Sequence, residues 1–226
     1  QSGASSGKAP PTDLHLPLEL AVGSARIAAL MVDKLPTITD LQAALHLGAG
    51  GGSAHTVTGL RFALDRLQTR ANLRIATDAP LAVTADATLQ SLAGAARPWQ
   101  ATLQTKGPLA ALQANVHLSG SAPAGQPPPA LDIDANLRPF AAWPLGPLTL
   151  RTEALDLSTL HSAAPKTLLS GTAQIDSAGL GQPLRLQLLL NNQAPGRWDQ
   201  GALPITLVDL DALGEPASKP PKGAAA

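Results

Sequence analysis

A chain of 226 residues is long enough for one β domain or two smaller ones. Its 44% hydrophobic content is globular in amount but unusual in kind, because aromatics are only 2% and charged residues only 14%. The 16 basic and 16 acidic side chains balance, with no basic run, which leaves no electrostatic footprint for nucleic acid; the absence of cysteine excludes disulfides and thiolate metal sites.

In chain order, residues 1–13 read as a disordered, small and polar lead-in, residues 14–213 as one β segment, and residues 214–226 as a disordered tail. Leu14, Leu16, Leu18, Leu20 and Val22 alternate with polar residues, and Pro17, which donates nothing to a ladder, marks an edge, a bulge or a strand end. Ser24–Leu35 suits either a helix N-capped by Ser24 or a strand, and the strand is preferred because alternation resumes at Leu41, Ala43, Leu45 and Leu47. Residues 48–53, GAGGGS, read as a hairpin tip rather than a phosphate loop, since neither G-x-x-x-x-G-K-[ST] nor G-x-G-x-x-G can be read through them.

From Leu60 the period of two is almost continuous. Leu60, Phe62 and Leu64 are followed by Ala71, Leu73 and Ile75, and then by Leu81, Val83, Ala85, Ala87 and Leu89. The clearest unit is residues 99–120, WQATLQTKGPLAALQANVHLSG, where Trp99, Ala101 and Leu103 face away from their Gln and Thr neighbours. Lys106-Gly107-Pro108 is expected to turn the chain, and Leu112, Ala114, Val116 and Leu118 then alternate in the same way. A proline-rich loop, residues 121–130, precedes Leu131, Ile133, Ala135 and Leu137. Leu148, Leu150, Leu155 and Leu157 follow, then Leu169, Ala173 and Ile175, the strong run Leu184, Leu186, Leu188 and Leu190, and finally Leu203, Ile205 and Leu207.

Pro-Leu steps at Pro17, Pro80, Pro108, Pro147 and Pro183, with Pro204-Ile205 as a variant, read as strand openings at irregular spacing. That irregularity rules out a fixed-period solenoid and suits hairpins of varied loop length. About a dozen strands at ~4.8 Å spacing would make a sheet roughly 55 Å long.

The expected fold is therefore all-β: a long, curved, largely antiparallel sheet with one aliphatic face. With so few aromatics to fill a sandwich core, that face is expected to line an open hydrophobic groove. Lipid acyl chains suit such a trough, because each buried methylene is worth about 0.8 kcal/mol and needs no directional partner. The groove-lining candidates are Leu16, Leu18, Leu20, Leu45, Leu60, Phe62, Leu64, Leu73, Ile75, Leu81, Val83, Leu103, Leu112, Val116, Leu118, Leu131, Ile133, Leu148, Leu150, Ile175, Leu184, Leu186, Leu188 and Ile205. Trp99, Trp143 and Trp198, each beside Pro or Gly at a strand boundary, are candidate rim residues.

The phrases RPWQATLQTKGPLAALQANVHLSG, LRPFAAWPLGPLTLRTEALDLSTL and APGRWDQGALPITL resemble the TamB family, the translocation and assembly module proteins related to the AsmA-like proteins of Gram-negative envelopes. The resemblance covers roughly residues 14–208 and carries no catalytic signature. It implies a β-taco anchored in the inner membrane and crossing the periplasm, moving phospholipid toward the outer membrane. It also implies support for outer-membrane protein assembly with an Omp85-type partner. The family's N-terminal anchor and C-terminal partner-binding domain are absent from this sequence, so the chain reads as an internal fragment whose address lies elsewhere.

No catalysis, metal or cofactor is expected. His15, His46, His55, His117 and His161 are scattered, and Asp132 and Asp134 share one face among polar neighbours without the cleft that acid–base work needs. The competing reading is a non-catalytic structural or adhesin-like β-solenoid or sandwich that buries its apolar face with its own chain.

Overall fold

The computed structural model describes residues 9–31, 37–65, 67–92, 94–161, 163–177, 179 and 181–215. The expected disorder of residues 1–8 and 216–226 lies outside them, as does part of the helix-or-strand question, at residues 32–36.

Twelve strands follow one another in the chain: β1 (Leu20–Leu30), β2 (Ile38–Ala49), β3 (Ala54–Leu64), β4 (Leu67–Ala76), β5 (Ala82–Ser91), β6 (Trp99–Pro108), β7 (Leu112–Gly120), β8 (Ala130–Leu137), β9 (Leu145–Leu155), β10 (Leu169–Ser177), β11 (Leu184–Asn192) and β12 (Leu207–Gly214). They form one antiparallel sheet in strict sequence order, open at β1 and β12. The fold is all-β, as the alternation predicts. Among the described residues the helical elements are a single turn, α1 (Leu157–Leu160), and a short 3-10 turn at Trp198–Gln200.

Ser24–Leu30 is strand, because Ala25, Ile27 and Ala29 pair with Ala43, Leu41 and Thr39 and so join the aliphatic pattern of β2. GAGGGS is the β2–β3 hairpin tip, with Gly50, Gly51 and Gly52 all at positive φ.

Several local expectations are corrected. The β6–β7 turn lies one step later than Lys106-Gly107-Pro108: β6 runs through Pro108, and the amide of Ala111 closes the turn on the Pro108 carbonyl at 2.8 Å. Gly107 serves close approach instead, since at φ +129° a Cβ there would sit 2.6 Å from the Ala111 oxygen. The Pro-Leu step opens a strand at Pro183 and directly precedes one at Pro80, but Pro108 ends β6 and Pro147 lies inside β9. Pro147 is tolerated there because it falls where the β8–β9 register slips between Ala135 and Leu137.

Leu14, Leu16 and Leu18 precede the sheet rather than belonging to it. The segment crosses one end of the strands: Leu14 donates to the Thr77 carbonyl at 2.9 Å, and its own carbonyl accepts from His55 Nε2 at 2.7 Å. His55 Nδ1 meanwhile accepts from the Gly48 amide at 3.0 Å, which fixes the tautomer with the proton on Nε2. Leu203 and Ile205 are also outside the strands. Their carbonyls accept from the buried Asn192 side-chain amide at 3.2 and 3.0 Å, and its oxygen accepts from the Leu168 and Ala194 amides, so one side chain organises the β11–β12 connection.

Leu157 begins α1 rather than continuing β9. Asp156 caps the turn by accepting from the Ser158 amide at 3.1 Å, and the same carboxylate accepts from the Thr167 amide and forms an ion pair with Arg97 at 2.8 Å. This capped turn folds over the sheet and creates its principal core, in which Trp99, Ala101, Leu118 and Leu155 are buried beneath Leu157 and Leu160.

Candidate functional site

Directly paired residues of an antiparallel ladder share a face. The register therefore joins Leu60, Ala71, Ala87, Leu103, Val116, Ile133, Leu150, Ala173, Leu188 and Leu210 into one row across the aliphatic side, from β3 to β12. Flanking rows carry Ile175 beside Leu148 and Leu186, and Leu118 beside Leu131. Leu20, Leu45, Phe62, Leu64, Leu73, Ile75, Val83, Leu112 and Leu184 lie on the same face of their strands. Four candidates do not: Leu16 and Leu18 lie in the crossing segment, 44% and 61% exposed, Ile205 is in the β11–β12 connection, and Leu81 is buried in the β4–β5 turn.

Away from the covered ends, this face is only half-buried, Leu103, Val116, Ile133 and Leu150 included. Among the described residues no charged side chain shares it between β4 and β12. Its two long borders are the strand ends. At one, the Leu14 segment lies over β3 and β4; at the other, α1 lies over β6 and β7. Beneath α1 a cavity of about 620 Å³ opens between Leu67, Leu92, Trp99 and Leu160, with Arg97, Asp156, His161 and Lys166 around it.

The tryptophans divide between the two borders and do three different things. Trp99 is 8% exposed and its indole N–H donates to the Thr159 carbonyl at 3.0 Å, so it is a core residue under α1 rather than a wet rim anchor. Trp143 lies in the β8–β9 connection at the opposite border, its indole nitrogen buried without a hydrogen-bond partner. Trp198 shares the border of Trp99 but is 69% exposed.

The polar side is not simply the outside of a half-pipe. A concavity of about 840 Å³ lies on it between β8 and β12, lined by alternate residues such as Asp132, Asp134, Arg151, Gln174, Asp209 and Asp211. Strand twist accounts for this, because a twisted sheet is saddle-shaped and each face is concave along one diagonal. Charge is also unevenly spread over this side: β1 to β6 carry Arg26, Arg61, Arg70, Arg74 and Lys106 against Asp40 and Asp86, whereas β8 to β12 carry Asp132, Asp134, Glu153, Asp176, Asp209 and Asp211 against Arg151 and Arg185.

Most of these charges are solvated or locally paired. His117 Nδ1 bonds Asp132 at 2.7 Å, Asp134 accepts from Asn115, and His46 pairs with Glu19. Hydrogen bonding from Arg185 holds the Asp211 carboxyl below the ordinary carboxylate range, with Gln187 adding a weaker contribution in the same direction. The five histidines are dispersed, and among the described residues no three metal-ligating side chains converge. Among the same residues no helix is long and apolar enough to cross a membrane.

The element that alternation alone does not reveal is the α1 cover. Its signal is nonetheless legible in DLSTL, where Asp156 stands as an N-cap and Leu157 and Leu160 have the i, i+3 spacing of one helical turn. Comparison with protein-family models, curated proteins and solved structures finds no match for this chain.

Proposed function

We propose that the chain is a non-catalytic, groove-forming segment of a TamB-like envelope protein. In this reading its aliphatic face carries phospholipid acyl chains between inner and outer membrane and so supports outer-membrane biogenesis. The observation that supports this is a face of Leu, Ile, Val and Ala, continuous over successive strands, incompletely buried by the chain itself and, among the described residues of β4 to β12, free of charge. An aliphatic face that the chain itself covers only in part calls for an apolar partner. Acyl chains need only dispersion and desolvation from it, and a row of near-equivalent aliphatic side chains gives no deep stopping point along the ladder. The periplasmic setting, an inner-membrane anchor and docking to an Omp85-type protein belong to the same proposal and would depend on sequence outside these 226 residues.

The test places a photocrosslinking side chain at Leu186, on the aliphatic face, and at Arg185, its neighbour on the polar face. Capture of phospholipid at position 186 and not at 185 is expected. Equal capture at both positions would overturn the proposal.

A further inference from the structure

The cavity beneath α1 has two kinds of wall. Its floor belongs to the aliphatic side of the sheet: Leu67 of β4 and Trp99 of β6 stand on the same faces of their strands as Ala71 and Leu103, and Leu160 of α1 closes over them. Its mouth is wet and charged, with Asp65, Arg97, His161 and Lys166 exposed around about 620 Å³ of space. From the floor, Thr69 opposite Leu89 and then Ala71 opposite Ala87 lead along β4 and β5 onto the central aliphatic row, ~13 Å from Leu67 at 3.3 Å of rise per residue.

The polar groups of the mouth are not equally committed. Asp156 is saturated: one carboxylate oxygen accepts from the Ser158 amide, the Ser158 hydroxyl and the Thr167 amide, and the other accepts from Arg97 at 2.8 Å. What remains on that flank is donors. His161 Nδ1 accepts from the Ala163 amide at 3.2 Å, which places the ring proton on Nε2. Among the described residues the Lys166 ammonium has no side-chain partner, and Arg97 donates to Asp156 through Nη1 alone. Asp65, where β3 turns into β4, adds one carboxylate with no partner among the same residues. Solvated charges are common on the polar side of the sheet; these differ in standing around an apolar floor, where one ligand can engage both.

We infer that this cavity receives the headgroup of an amine-bearing phospholipid, with the phosphate against Arg97, His161 and Lys166, the ammonium against Asp65, and the acyl chains running past Leu67 and Leu89 onto the aliphatic face. The inference rests on the reading of that face as a surface for acyl chains and adds what selects the lipid. Guanidinium, ammonium and imidazole N–H groups all give charge-assisted hydrogen bonds to phosphate. A headgroup without the amine leaves Asp65 as an uncompensated like charge beside the phosphate, which discriminates against anionic lipids.

Isothermal titration calorimetry of the full chain tests this with four probes: dihexanoyl phosphatidylethanolamine, dihexanoyl phosphatidylglycerol, dihexanoylglycerol and glycerophosphoethanolamine. The ethanolamine lipid should bind most tightly. Lys166→Gln should weaken both phospholipids about tenfold and leave dihexanoylglycerol unchanged. Asp65→Asn should abolish the preference for the ethanolamine over the glycerol headgroup. Circular dichroism would check that both variants keep their strand content. Equal binding of the three lipids, by the parent and by Lys166→Gln alike, would overturn the headgroup site and leave the acyl-chain reading standing, whereas failure of all three to bind would overturn both. Glycerophosphoethanolamine binding as tightly as the whole lipid, or an ethanolamine preference that survives Asp65→Asn, would also overturn the proposal.

Discussion

Replacing Trp99 tests whether α1 is docked as a cover. The indole is 8% exposed, packs with Ala101, Leu118 and Leu155 under Leu157 and Leu160, and donates to the Thr159 carbonyl at 3.0 Å. Trp99→Ala removes the largest side chain of this core and leaves a void that a capped turn tied by Asp156 to Arg97 and Thr167 closes poorly, so a loss of about 3–5 kcal/mol is expected. Trp99→Phe keeps most of the apolar contact and loses one hydrogen bond, so its cost should be near 1 kcal/mol. Urea unfolding followed by far-ultraviolet circular dichroism reads both values, and hydrogen exchange at Thr159 and His161 reads the cover itself. Their amides bond within the turn, to Asp156 and Leu157, and should lose protection first in the alanine variant. Trp99→Ala costing less than about 1 kcal/mol, with exchange unchanged, would refute a docked cover.

Two further outcomes follow from the geometry. Gly171→Ala should be far more damaging than Gly59→Ala in thermal unfolding: both glycines have positive φ, but a Cβ at 171 would sit 2.0 Å from the Leu189 carbonyl oxygen in the β10–β11 ladder, whereas at 59 it meets open space and costs about 1 kcal/mol in backbone strain alone. Equal losses would refute the close strand approach at Gly171. Arg185→Gln should raise the Asp211 titration midpoint toward the ordinary carboxylate value, read by carboxyl carbon chemical shifts, because the Arg185 hydrogen bond at 3.1 Å is the main cause of its depression. A depressed folded pKa contributes stability above the unfolded carboxylate value that is lost as pH falls through the folded one. For this solvent-exposed pair the titration midpoint, rather than the melting temperature, is therefore the informative reading.

The strands were legible because side-chain alternation is a local property. Leu184, Leu186 and Leu188 share a face in any extended backbone, whatever lies beside them. The same locality explains the misplaced elements. Leu157 continues the alternation of Leu155 in sequence, yet Asp156 has a capping interaction and an ion pair with Arg97 that an extended chain would forgo. Leu203 and Ile205 alternate as well, but their carbonyls are claimed by Asn192. At Lys106-Gly107-Pro108, residues that typically turn a chain instead finish a strand, because the room Gly107 provides is needed by the returning Ala111 carbonyl.

Sequence by itself therefore determined the all-β class, a count of about a dozen strands and most of the residues of the aliphatic face, since each follows from a period of two broken by Gly and Pro. The tertiary structure alone decided how those strands pair, and in doing so joined residues as distant as Leu60 and Leu210 into one row. It also decided that Trp99 lies beneath a cover, and that a broad concavity is on the polar side. Register, twist and long-range hydrogen bonds are set by neighbours far along the chain, and no local pattern of residue types records them.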